Sequence, residues 1–221
     1  MGLTADRSAK PLRADAERNR ERILAAAAEV FARRGLSGTM DDVAAEAGVG
    51  VGTVYRRFPE KDDLIEALFE QKVGQFAALA DRANEFDHAW EGLEFFIFEA
   101  ATLHHENRGL RDLLFGSSQR RDWIARGRGR IRPRMEKLIA RARAEGRLRD
   151  DLSALDVPLI LMMLTAVMDY TAEASPEVWR RQLQIVLDGL AAARKAPTPM
   201  GAKPLDGKQF EVAMSNWKSP R

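Results

Sequence analysis

The sequence predicts an all-α protein: a small three-helix unit near the N-terminus, then a larger helical bundle, about nine helices in all and no sheet. Three observations carry this expectation. Apolar residues recur at helical spacing, and no stretch alternates apolar and polar residues long enough to suggest a strand. Helix start and stop residues bracket these stretches, with Thr39 and Ser175-Pro176 at beginnings and Gly35 and Gly146 at ends. The first helices are short and closely spaced, whereas the later ones are long. The expected organisation is an arm over 1–18, a three-helix domain over 19–66, a bundle over 67–196 and an irregular tail over 197–221.

The elements follow in order. Asn19 is the expected N-cap of the first helix, whose inner face carries Ile23, Ala27, Val30 and Phe31. Gly35 ends it. Thr39 and Asp42 have the spacing of a capping box and open a helix holding Val43, Ala44 and Ala47. Gly48-Val49-Gly50 forms a tight turn. A short helix then runs from about Val51 to Phe58 and stops at Pro59. Lys61 to about Asn84 is a longer helix with Asp62 and Asp63 at its N-terminal dipole. Asp87 is the expected cap of a helix reaching about His105, and a short helix is expected near Leu110 to Phe115. Ile131, Met135, Leu138, Ile139 and Ala142 stripe an arginine-rich helix ending at Gly146. Ser153 and Asp156 precede the apolar helix Val157 to Thr171. Ser175-Pro176 starts the last one, through Trp179, Leu183, Val186, Leu187 and Leu190.

Composition narrows the function classes. Of 221 residues, 45% are apolar and 31% charged, an ordinary globular balance. There is no cysteine, which removes disulfide frameworks and thiolate metal sites and fits a reducing cytoplasm, the expected location. The N-terminal stretch has no apolar core of the kind a secretory signal needs. No apolar run is long enough to span a membrane, Val157–Val167 included. Net charge is +2, but it is unevenly spread: residues 62–107 hold 11 acidic and 2 basic side chains, whereas 108–149 hold 14 basic and 4 acidic.

The three short helices hold the most specific signal. A helix-turn-helix needs a small apolar second helix, a sharp turn and a recognition helix slim enough at its start to enter the major groove. Val43, Ala44 and Ala47 supply the apolar face and Gly48 the turn. Gly50, Val51, Gly52 and Thr53 form the slim leading edge, and Val54 and Phe58 face inward. Tyr55, Arg56 and Arg57 then reach outward. The ordered set Arg22-Ile23-Leu24, Ala26-Ala27, Phe31, Gly35, Thr39, Val43-Ala44, Ala47-Gly48-Val49, Gly52-Thr53-Val54-Tyr55, Phe58, Lys61 and Leu64 resembles the DNA-binding domain of TetR-family regulators. The resemblance implies phosphate contacts at Thr39 and Lys61, and base or phosphate contacts at Thr53 and Tyr55. Gly50 and Val51 stand where polar residues are common in the family, so Val51 is left an apolar contact to a thymine methyl. Arg57 stands where His or Tyr is common. The arm residues Arg7, Lys10, Arg13 and Arg18 read as a solvated tail or as DNA contacts.

The same resemblance implies a dimer through the last two helices and a small-molecule effector site among the middle ones. Two recognition helices about 34–36 Å apart then read the half-sites of a palindromic operator, and an effector that favours another spacing releases it. Phe95, Phe98, Trp123, Met162, Met163 and Tyr170 are the candidate effector contacts, each of them also a candidate for plain core. The arginine run Arg120–Arg149 reads either as a solvated face or as an attractor for an anionic effector. His104 and His105 are adjacent on a helix and diverge by about 100°, which argues against a shared metal, and no cofactor is expected. No nucleophile elbow, phosphate loop or zinc-protease motif occurs, which argues against an enzyme, and the resemblance implies a repressor. An activator, or a DNA-binding protein without ligand control, is the alternative.

Overall fold

The computed structural model describes residues 9–106, 121–192 and 206–209. Among them are eight α-helices: α1 Ala9–Arg34, α2 Met40–Ala47, α3 Val51–Arg57, α4 Lys61–Asn84, α5 Ala89–Glu106, α6 Arg121–Ala144, α7 Asp156–Thr171 and α8 Val178–Leu190. A 3₁₀ turn, Gly35–Ser37, follows α1. No strand is present among the described residues, and one isolated bridge pairs Leu148 with Ala191. The helix expected near Leu110 to Phe115 lies outside them, as does most of the tail. Within the tail, Asp206 and Gln209 cap each other's main-chain N–H groups.

The chain divides into two compact units, Met1–Phe69 and Glu70–Arg221, so the boundary falls inside α4. In the first unit Ile23, Leu24, Ala27 and Phe31 of α1, Val43 and Ala44 of α2, Val54 of α3 and Leu64 of α4 are all buried. Helix α1 begins at Ala9, well before Asn19, which lies inside the helix. Residues 9–18 are therefore helical and not an arm. Pro11 is tolerated because a first-turn N–H has no intrahelical acceptor in any case. The ion pairs Asp15–Arg18 and Glu17–Arg20 follow the helical repeat. Residues 15–18 are exposed, and the sequence of the stretch has no apolar stripe for periodicity to register.

The second unit is a bundle whose core joins Ala80, Ala83, Leu93, Phe96, Ile97, Leu138, Ile139, Leu161, Leu164, Trp179, Leu183 and Leu187. Helices α4 and α5 approach so closely at Gly92 that a Cβ there would sit 2.1 Å from the Ala83 carbonyl oxygen. The connection between them is clamped from the end of α6. Arg141 donates to the carbonyl oxygens of Asn84 (2.7 Å) and Phe86 (2.8 Å), satisfying the end of α4. The Glu145 carboxylate accepts from the N–H groups of Ala89 (2.8 Å) and Trp90 (3.4 Å) at the start of α5. Capping of α5 thus falls to Glu145 and not to Asp87. The Ala89 N–H holds the Glu145 carboxyl below its ordinary range, against the cost of burial, and the Trp90 N–H, His88 and Arg141 act in the same direction.

Other ends follow the expected chemistry. Gly35, Gly48 and Gly146 all have φ near +60°, the left-handed conformation that closes a helix. Ser153 accepts from the Leu155 N–H and Asp156 from the Ser153 N–H, so both brace the start of α7. Helix α6 runs on through Pro133, an interruption the stripe of apolar residues did not register.

Candidate nucleic-acid interface

Helix α2 starts from a complete capping box. The Thr39 hydroxyl accepts from the Asp42 N–H (3.1 Å), while the Asp42 carboxylate accepts from the Thr39 N–H (2.9 Å) and from its hydroxyl (2.8 Å). These two donors, with Arg34 at 2.5 Å, hold the Asp42 carboxyl below its ordinary range. Thr39 is exposed, yet its one hydroxyl proton is already given to Asp42. A contact from this hydroxyl to a phosphate therefore requires the proton to turn away from Asp42.

The end of α2 builds the turn. Gly48 adopts φ +63°, and its N–H reaches the Ala45 carbonyl at 3.2 Å while the Val49 N–H reaches Ala44 at 3.1 Å. This paired arrangement is the Schellman motif, open to glycine because a Cβ is disfavoured at that φ. Helix α3 follows at once, with no side-chain cap at Gly50. Val54 and the C-capping Phe58 are buried, at 0% and 5% exposure. The opposite side carries Val51 (41% exposed) and Tyr55 (46%), one helical turn apart, and Arg56 and Arg57 are exposed beyond them. Gly50 and Gly52 are exposed and Thr53 is half-buried. A Cβ on Gly52 would meet nothing within 4 Å. The slim leading edge is thus not a requirement of the protein's own packing.

Around α3 the unit is braced by charge. Arg33 pairs with Glu46 and Arg34 with Asp42, tying α1 to α2. Arg57 lies 3.9 Å from Glu17 of α1. Lys61 is half-buried, its ammonium 5.4 Å from the centroid of the Phe31 ring. Thr39, Gly50, Val51, Gly52, Thr53, Tyr55, Arg56, Arg57 and Lys61 thus all belong to the first unit, on α2, α3 and the start of α4. Glu17, which the sequence did not single out, and Arg22, which the resemblance includes without a role, contact its elements from α1. Both act across the fold, where sequence spacing carries no signal.

The candidate effector residues differ in their surroundings. Phe95 stacks against Phe86 at 5.2 Å with Arg82 over its ring, and Phe98 stacks against Trp179 at 5.3 Å with Arg180 over its ring. Both are half-buried at the edge of the core, Trp123 is half-buried, and Met162 is buried. Met163 and Tyr170 are 48% and 74% exposed and line no interior of the single chain. The reason lies in register: Val157, Leu161, Leu164 and Met168 turn inward, and this faces Met163 and Tyr170 outward. An open groove of about 360 Å³ lies elsewhere, walled by Ile139, Arg143, Leu152 and Ser153, and includes none of the candidates.

The arginine run is largely engaged within the chain. Arg130 pairs with Glu70, Arg132 with Glu136, Arg134 with Asp81 and Arg149 with Asp151, while Arg128, Arg141 and Arg143 donate to main-chain carbonyls. His104 Nδ1 is 2.9 Å from the hydroxyl of the fully buried Thr165. That hydroxyl donates to the Leu161 carbonyl at 2.7 Å, so it accepts from His104, and Nδ1 carries the proton. His105 instead lies 3.6 Å from Asp169. Among the described residues no three metal-ligating side chains converge, and no helix is long and apolar enough to cross a membrane.

Comparison with known proteins agrees with this geometry. Residues 23–68 match the family described as bacterial regulatory proteins, tetR family, and residues 88–192 match the C-terminal domain of SbtR-like transcriptional regulators. A TetR regulatory protein from Mycobacterium vanbaalenii is 30% identical, with 82% of this chain and 99% of that one aligned and a TM-score of 0.63. A TetR regulator from Streptomyces coelicolor is 28% identical over 79% and 99% of the two chains, with a TM-score of 0.57. FadR of Bacillus subtilis, solved in complex with stearoyl-CoA, shares the fold at 22% identity, with a TM-score of 0.62 over 77% of this chain and 98% of that one. The transcriptional regulator LuxR of Vibrio harveyi is 36% identical over 78 residues, which span 34% of this chain and only 38% of LuxR. With the family's N-terminal and C-terminal domains matched in order, and a solved relative at 30% identity matched over nearly its whole length, the chain belongs to the TetR family of DNA-binding transcriptional regulators.

Proposed function

We propose that the protein is a dimeric repressor that binds a palindromic operator through α3 and is released from it by a small-molecule effector. The observation that carries the DNA contact is the exposed face of Val51, Tyr55, Arg56 and Arg57 laid over buried Val54 and Phe58. Apolar and aromatic groups at the front suit base edges, and the arginines behind suit phosphates. Thr39, Gly50, Gly52, Thr53 and Lys61 complete the surface. The proposed site of action is the cytoplasm, where the DNA is.

Dimerisation is supported by the outward Met163 and Tyr170 of α7 and Ile185 of α8, the last 57% exposed. Large apolar groups left exposed on these two helices suit an isologous contact between copies. Effector control is supported by the family and by a shared fold with a regulator that holds stearoyl-CoA. Phe95, Phe98, Trp123 and Met162 remain the proposed effector contacts. An anionic effector loses its main support, because most arginines of α6 are already engaged within the chain.

Fluorescence anisotropy with the palindromic DNA upstream of the protein's own gene, and scrambled DNA as competitor, tests the reading at two salt concentrations. Binding that is tighter to the palindrome by about 10³ or more identifies a specific regulator. Tyr55→Ala then weakens that binding at least tenfold, the cost of one good base contact, with helicity unchanged because Tyr55 is 46% exposed and outside the buried set of the unit. Equal, steeply salt-dependent binding to both DNAs overturns the specific reading.

A further inference from the structure

Helix α1 extends upstream of the family-matched segment, which begins at residue 23. The last residue before that segment, Arg22, makes a contact that local sequence does not announce. Its Nη2 donates to the Ala47 carbonyl at 2.7 Å and lies 3.4 Å from the Gly48 carbonyl oxygen. These are the main-chain oxygens at the end of α2, immediately before the turn into α3. The Schellman bonds of Gly48 and Val49 go to Ala45 and Ala44, so they leave Ala47 and Gly48 to another donor. Arg22 supplies it, and its positive charge also sits at the negative end of the α2 dipole. Its own position is firm because the next two residues, Ile23 and Leu24, are 1% and 0% exposed. A second contact from the same stretch of α1 reaches the other end of α3, where Glu17 faces Arg57.

We infer that Arg22 is a positioning residue for DNA reading: it fixes the α2–α3 turn, and with it the angle at which α3 is presented. The inference rests on the reading of α3 as the recognition helix. Arg22 acts through the backbone of the turn and not through a phosphate of its own. A hydrogen bond from a charged donor to an otherwise unmatched carbonyl is among the stronger kinds. Its loss loosens the turn while leaving the apolar core of the unit in place.

Two measurements on the full-length protein test this, with Arg22→Ala and Arg22→Lys beside wild type. The first needs no DNA: amide hydrogen exchange at Gly48 and Val49. Arg22→Ala exchanges about tenfold faster there, with the Ile23–Phe31 amides unchanged, and Arg22→Lys restores part of the protection. Unchanged exchange at Gly48 and Val49 overturns the inference. So does uniform acceleration in both variants, which marks a residue needed for the whole unit. The second compares affinity for a duplex that wild type selects from a random pool with affinity for its scrambled form. Arg22→Ala lowers the ratio about tenfold and leaves the salt dependence as it was. Equal weakening on both duplexes, with a salt slope shallower by about one, makes Arg22 a phosphate contact and overturns the positioning role. Failure of wild type to select any duplex overturns the recognition-helix reading instead, and the exchange result still decides what Arg22 does to the turn.

Discussion

A Cβ on Gly52 would meet nothing, so this glycine costs α3 helical stability without serving the protein's own packing. Gly52→Ala is expected to stabilise the protein by about 0.5–1 kcal/mol and to weaken DNA binding, because the added methyl stands where α3 must approach the groove. Chemical denaturation and anisotropy read the two effects. Tighter or equal binding with the gain in stability would remove Gly52 from the interface. Asp42 illustrates a different economy. Its carboxyl titrates below its ordinary value because the Thr39 N–H, the Thr39 hydroxyl and Arg34 favour the charged form. A carboxyl lowered in the folded state stabilises fully above its unfolded pKa, and that stability drains away as pH falls through the folded value. Asp42→Asn is therefore expected to cost stability at neutral pH and progressively less in acid, below the ordinary carboxylate range. Parallel loss for both proteins across a pH series of unfolding curves would contradict it.

Among the elements, α6 is where the structure most changes the reading of the residues. From composition its arginines are either solvated or ligand-seeking. In the fold they reach back to α4 and across to the following loop, and the helix end closes the α4–α5 connection through Arg141 and Glu145. Gly92 belongs to the same junction. Gly92→Ala pushes a methyl into the Ala83 carbonyl, and overpacking of this kind costs about 1–3 kcal/mol. A lowered thermal midpoint is expected, with the exchange protection of α2 and α3 retained, since the site lies in the second unit. An unchanged midpoint would mean that α4 and α5 are free to separate there. Helix α1 makes the complementary point. Residues 15–20 in its first half carry i, i+3 ion pairs on exposed or half-exposed side chains.

At the scale of the whole molecule, the proposed function depends on a second copy, because in that reading one recognition helix meets only a half-site. Met163, Tyr170 and Ile185 on α7 and α8 are the candidate seam. Tyr170→Glu and Ile185→Glu each place a charge where an apolar contact would bury it, so light scattering is expected to find monomers, with the helical content of each chain intact. A dimer that survives both substitutions would move the interface off these helices. Monomeric variants should also bind a full palindrome no better than a single half-site.

What the sequence by itself determined is most of the described helices and the family to which the first unit belongs. Capping residues, left-handed glycines and apolar stripes act within about four residues of one another, so Thr39, Gly48, Val54 and Phe58 were legible at once. So was the order Gly52-Thr53-Val54-Tyr55 on which the family resemblance rests. What only the tertiary structure decided are matters of distant partners and of facing. Glu145 caps α5 from far along the chain, Arg22 reaches the end of α2, and Arg130 and Arg134 of α6 find acceptors on α4. Met163 and Tyr170 turned outward because the core of the bundle takes the opposite side of α7. An apolar residue at helical spacing is equally suited to a core, a pocket or a seam between copies, and a charged one to solvent or to a carbonyl. Periodicity says which residues share a face, but only packing says what that face meets.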